Sequence, residues 1–155
     1  MSGTIEKRLS ELGIELPEPM APVANYMAWV VSGKMVYVSG QVPIVDGKPQ
    51  HIGQCGNSIS TEDAVQAARI CAINLISQAK AAAGGDLDKI ARVVKLVGFV
   101  NSAPDFKDHP TVINGASDLM VDVFGDKGRH ARSAVGVAAL PLGLSVEVEA
   151  IFELA

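Results

Sequence analysis

Apolar residues recur along this chain at two periods, and the switches between them mark its elements. Ile5, Leu9 and Leu12 share one face of a short helix over 4–12, which Thr4 can cap and Gly13 can end. Pro17, Pro19 and Pro22 then forbid a continuous helix and predict an extended lead-in. Ala28–Ser32 and Met35–Ser39 read as strands around Gly33-Lys34, the spacing of a two-residue hairpin turn in which glycine supplies the positive φ. Residues 43–60 carry Pro43, Asp46-Gly47, Pro49, Gly53 and Gly56, so they predict a loop. Loops of that length in compact domains are usually functional or mobile.

Ser60 and Asp63 open a helix over 61–83 in the manner of a capping box, and Gly84-Gly85 stops it. Val65, Ala68, Ala72, Leu75, Ile76 and Ala79 form its inward stripe. Residues 91–100 are rich in β-branched residues with apolar side chains on both faces, the pattern of a central strand. His109-Pro110 starts a further helix that packs through Val112, Ile113, Ala116, Leu119, Met120 and Val123 and ends at Gly125. After a polar loop over 125–130, two strands close the chain at 131–138 and 145–154 with Pro141 and Gly143 between them. The order β-β-α-β-α-β-β, with a hairpin at each end, predicts one α+β domain over 1–155. It has two layers, a mixed sheet with two helices on one face, and neither repeat nor linker.

Composition narrows the function. The 155 residues are 48% hydrophobic and 19% charged, against a usual charged share of about 25%. The chain is therefore not disordered, and part of its surface is expected to be covered in an oligomer. A net charge of −4 and seven aromatics in all argue against a basic face or a base-stacking platform for nucleic acid. No apolar run nears the roughly 20 residues of a membrane span, and Glu6, Lys7 and Arg8 stand where a signal peptide would be apolar, so a cytoplasmic location is expected. Cys55 and Cys71 read as free thiols, and His51, His109 and His130 lack ligand spacing, so no metal is expected.

Candidate chemistry lies in the last two strands. Arg132, Ala134 and Gly136 point to one side of their strand, Ser133, Val135 and Val137 to the other. In the final strand Val146, Val148, Ala150 and Phe152 alternate with Glu147, Glu149, Ile151 and Glu153. With the valines and Phe152 turned to the helices, Arg132 and Glu147 fall on the uncovered face among small residues. A hairpin centred near Leu142 then sets Arg132 opposite Ile151 and Glu147 beside Gly136, so a ligand or water would bridge the two. A guanidinium grips a carboxylate with a two-pronged fork, and a glutamate can position water or move protons. His130, beside Arg129 and Arg132, is a further candidate for an anion site. Solvated strand polarity is the plain alternative.

These residues carry a resemblance. His130-Ala131-Arg132-Ser133-Ala134-Val135, Ala139-Leu140-Pro141 and Val146-Glu147-Val148-Glu149-Ala150 resemble the C-terminal signature of the YjgF/RidA family of imine deaminases, also labelled L-PSP endoribonucleases. Tyr26 stands thirteen residues before Ser39-Gly40-Gln41-Val42-Pro43, similar to that family's tyrosine and SGQ motif, and Asn114 matches the asparagine of its second helix. The likeness spans about residues 22–152, so the first 20 residues are an extension. It implies a chorismate-mutase-like fold, a homotrimer with clefts between subunits, no cofactor, and hydrolysis of enamine and imine intermediates such as 2-iminopropanoate to 2-keto acids and ammonia. In that scheme Arg132 holds the substrate carboxylate and Glu147 positions or activates water. The backbone around Ala134 and Gly40, in the Ser39-Gly40 motif, contacts the substrate, and Tyr26 and Asn114 shape the cleft. Ala134 and His130 depart from the family's usual cysteine and proline, and the loop over 43–60 is longer. Two rival functions are a non-catalytic trimer that binds small carboxylates and an endoribonuclease.

Overall fold

A computed structural model describes residues 3–155. The chain runs through α1 (Thr4–Glu11), β1 (Trp29–Ser32), β2 (Met35–Gln41), β3 (Ile44–Val45), β4 (Lys48–Pro49), α2 (Thr61–Ala82), β5 (Ile90–Asn101), α3 (His109–Phe124), β6 (Ala131–Val137) and β7 (Val146–Leu154). The expected α+β two-layer order is present. Five strands form one mixed sheet in the order β1-β2-β7-β5-β6, in which β5 and β6 alone are parallel. Helices α2 and α3 cover one face, burying Val36, Val38, Leu96, Val100, Val146, Val148 and Phe152 beneath them.

Local signals explain most boundaries. Ser60 accepts a hydrogen bond from the Asp63 amide at 3.1 Å and caps α2. Gly33 turns the β1–β2 hairpin at φ 62°. Helix α1 is capped differently from expectation. Gly3, not Thr4, is its N-cap, and the Asp88 carboxylate accepts the amides of Thr4 and Ile5 at 2.8 and 2.9 Å. Those two bonds hold the Asp88 carboxyl below its usual range.

Three sequence expectations need correction. The loop over 43–60 contains the β3–β4 ribbon, turned by Asp46 and Gly47 at positive φ. It is pinned by Asn74 of α2, whose amide donates to the carbonyls of Val42 (2.9 Å) and Ile44 (3.2 Å). Val65 is only partly buried. It lies where α2 and α3 cross, and a Cβ on Gly115 would run into its carbonyl oxygen. Gly115→Ala should therefore cost about 1–3 kcal/mol in a denaturant titration. The largest difference concerns the C-terminal strands, which do not pair. The crossover through α3 lays β6 parallel to β5 at the sheet edge, and β5 separates it from β7.

The extension lies over α2 as a strap. Buried Ser77 donates to the Pro17 carbonyl at 2.6 Å, and buried Gln78 to the Met20 carbonyl at 2.8 Å. These side chains need partners once desolvated, and the proline-rich strap offers free carbonyls. The opposite face of the sheet has no helical cover, and Val30, Tyr37 and Val135 are exposed on it.

Candidate active site

Register decides where the candidate residues go. Arg132 pairs with Leu96, Ala134 with Gly98 and Gly136 with Val100. Leu96 and Val100 are fully buried under the helices, so Arg132, Ala134 and Gly136 share the helix face. Ser133 and Val135 of the other set are exposed. The expectation that Arg132 lies on the uncovered face is thus overturned, because β6 takes its register from parallel β5 and not from a hairpin with β7. Glu147 pairs with Phe99, and alternates with buried Val146 and Val148, so it does point to the open face. Within one protomer Arg132 and Glu147 lie on opposite faces of the sheet, with β5 between their strands. The two groups are therefore not brought together by folding alone.

Arg132 sits where the edge strand passes the outer side of α3. One of its guanidinium nitrogens, Nη1, donates to Asn114 Oδ1 at 2.8 Å and to Ser117 Oγ at 3.1 Å. Both partners are neutral, and among the described residues no carboxylate lies within ion-pair distance of it. The charge is oriented but unspent. Asn114 is marked from the sequence as a cleft residue, and Ser117 is not marked at all. It lies one helical turn beyond Asn114, an i,i+3 pairing legible in the sequence. Ala134 follows on the same face, packed against the core. The depression at Arg132, about 270 Å³, is shared with Ser117, Asp118, Val121, Arg129 and His130. Burial keeps His130 below its ordinary pKa, and the Arg132 charge adds to that, while its bond with the Ala131 carbonyl opposes.

The second group is Tyr26, Ser39, Gly40 and Glu147, which line one cleft of about 260 Å³ on the other face. Between Val38 and Gln41 strand β2 carries one residue more than β7, a bulge that places Ser39-Gly40 against the glutamate. A Cβ on Gly40 would stand 2.9 Å from the Glu147 carboxyl carbon, so glycine makes the room in which that carboxylate lies. Ser39 is spent on structure: its hydroxyl donates to the Met27 carbonyl at 2.7 Å, and its amide to that of Ala28 at 2.9 Å, which fixes the segment bearing Tyr26. Partial burial raises the Glu147 pKa above the usual 4.5, and the neighbouring Glu149 adds to the rise. The strap residues Met20–Val23 and Leu142 complete the walls; the sequence marks Pro22 only as part of an extended lead-in and Leu142 only as the centre of a turn.

This architecture, two helices on a mixed sheet whose far face is bare and whose polar groups split between an edge and that face, is the chorismate-mutase-like class. Residues 6–154 match the family described as "YjgF/chorismate_mutase-like, putative endoribonuclease", and the chain belongs to that family. It is 51% identical to Protein TCP17 of Trypanosoma cruzi over 154 residues, covering 99% of this chain and 96% of that one. It is 30% identical over 139 residues to a 2-iminobutanoate/2-iminopropanoate deaminase of Dermatophagoides farinae, covering 89% and 92%. The crystal structure of Atu1372 from Agrobacterium tumefaciens superposes with a TM-score of 0.91 at 50% identity, over 97% of this chain and 92% of that one. Among the described residues, no helix is long and apolar enough to cross a membrane.

Proposed function

We propose that the protein hydrolyses 2-imino acids, and their enamine tautomers, to 2-keto acids and ammonia in composite sites of a cytoplasmic homotrimer. The observation that carries this reading is the Arg132 guanidinium. It is aimed by Asn114 and Ser117 and has no acidic partner among the described residues. Such a group is ready for the two-pronged bond that a substrate carboxylate makes. The deaminase activity in the name of the Dermatophagoides farinae relative supports the same chemistry.

The two half-sites need a second copy to meet. A head-to-tail ring sets the edge of one protomer against the bare face of the next, which repeats the same contact at every interface. The exposed Val30, Tyr37 and Val135 on that face favour such cover. In that arrangement Arg132 holds the substrate carboxylate and the neighbouring copy's Glu147 faces the C=N carbon. The Glu147 carboxylate takes a proton from water as the oxygen adds to that carbon. It returns that proton to the nitrogen, giving a carbinolamine. The new hydroxyl then passes its proton through Glu147 to the same nitrogen, the C–N bond breaks as the C=O bond forms, and ammonia leaves a 2-keto acid. A carboxyl whose pKa is raised toward neutrality serves both proton transfers better than an ordinary one.

The test is keto-acid release from 2-iminopropanoate generated in place by an amino-acid oxidase, compared with the spontaneous rate. Acceleration that tracks the oligomer peak supports the proposal. Saturable keto-acid binding without acceleration supports a carboxylate-binding protein instead, and RNA cleavage lost in Arg132 or Glu147 variants supports an endoribonuclease. The Gly40 position offers a finer check. Gly40→Ala should force the Glu147 carboxylate aside and lower kcat by roughly tenfold or more, since small misplacements of catalytic groups are costly. The unfolding midpoint should move little.

A further inference from the structure

The cleft around Glu147 is walled by apolar side chains that hydrolysis itself does not require. Met20, Val23, Tyr26, Ile44 and Leu142 line it. Val23 is 99% and Leu142 73% exposed, so neither is there to fill the core. Leu142 also holds a left-handed backbone conformation, φ 60° and ψ 14°, that side chains other than glycine rarely adopt. Such conformations persist where the surrounding structure imposes them, and they gather at functional sites. Here the turn is imposed by the Gly53 amide donating to the Gly143 carbonyl at 2.9 Å and by the Leu144 amide donating to Pro141 at 3.2 Å. The facing wall is fixed independently, by the Ser77 and Gln78 bonds that hold the strap. Two rigid supports thus present exposed apolar side chains across a cleft whose one acid is Glu147.

We infer that this cleft selects 2-imino acids with a bulky apolar side chain, and that Leu142 and Val23 are its specificity-determining residues. The inference rests on the imine-hydrolysis reading. A volume of about 260 Å³ leaves space well beyond a methyl side chain, and it approaches the lower end of small-molecule sites, about 300 Å³. Apolar surface that is wet in the free protein becomes buried when such a substrate binds, and the gain grows with side-chain size.

The experiment compares kcat/KM for imines generated in place from leucine and from alanine. The leucine-derived imine should be favoured by at least about tenfold, since each methylene in an apolar pocket is worth about that much or more. Leu142→Ala keeps the backbone demand but shortens the wall, and it should reduce that preference by about tenfold. Val23→Ala should reduce it in the same direction, and its exposed side chain supports nothing in the fold. Turnover of both imines with equal kcat/KM would overturn this inference alone. So would a Leu142→Ala or Val23→Ala variant that lowers both substrates by the same factor, the mark of a subunit-packing residue. Turnover of neither would overturn the hydrolysis reading and this inference with it.

Discussion

Arg132→Ala should lower kcat/KM for 2-iminopropanoate on the order of 10²–10³-fold, because truncating one partner of a hydrogen-bonded charge pair costs about 2–5 kcal/mol. The loss should appear with little change in fold. Arg132 is only partly buried, and the two oxygens it leaves, on Asn114 and Ser117, can bind water instead. A thermal melt beside the imine assay separates the two effects. Arg132→Lys keeps the charge but not the planar fork, so it should recover only part of the activity. Full activity in Arg132→Ala would remove the carboxylate clamp from the account.

Glu147→Gln should reduce kcat by roughly 10²–10⁴-fold, the usual weight of a positioned general base. Its pH behaviour is more diagnostic. Wild-type kcat/KM should fall in acid as Glu147 protonates, at a pH above the ordinary glutamate value of 4.5, because burial and then Glu149 raise its pKa. The residual activity of Glu147→Gln should lack that limb. Stability should respond with the opposite benefit. A raised folded-state pKa means that the native protein holds this proton more tightly than the unfolded chain does. The resulting stabilisation is complete below the unfolded pKa and is lost as pH rises through the folded one. At neutral pH the ionised carboxylate is therefore a burden, and Glu147→Gln should unfold at higher denaturant than wild type at pH 7. The difference should vanish below the unfolded-state value.

The elements were legible in the sequence to the extent that local rules govern them. The stripe Leu75-Ile76-Ala79, the Ser60 cap and the Gly33 turn act within a few residues, and each stands where the pattern puts it. Strand pairing is a longer-range matter. Pro141 and Gly143 look like a hairpin turn, yet the crossover through α3 had already placed β6 beside β5, and the last strand enters the centre of the sheet on the far side of β5. That one difference moved Arg132 to the other face. Strand alternation pointed to Arg132 and Glu147 and motif resemblance to the rest, and the structure sorts them into two groups, Arg132 with Asn114 and Ala134, and Glu147 with Tyr26, Ser39 and Gly40. Ser117, Met20 and Val23 were not legible as site residues, and Leu142 only as the centre of a turn, because a serine on a helix or an apolar residue in a strap or turn has no signature until its neighbours are known. The same holds for Asp88, whose carboxylate caps a helix 83 residues away in the chain.

Subunit mixing tests the composite site most directly. Arg132→Ala and Glu147→Gln chains, each expected to be nearly inactive alone, are unfolded together, refolded in equal amounts and assayed as the refolded oligomer. In a head-to-tail ring that pairs Arg132 of one copy with Glu147 of the next, about a quarter of the sites in the mixture regain both groups, so activity should return to about a quarter of the wild-type level. Mixed trimers that remain as inactive as their parents would contradict the claim that the two groups act together across an interface.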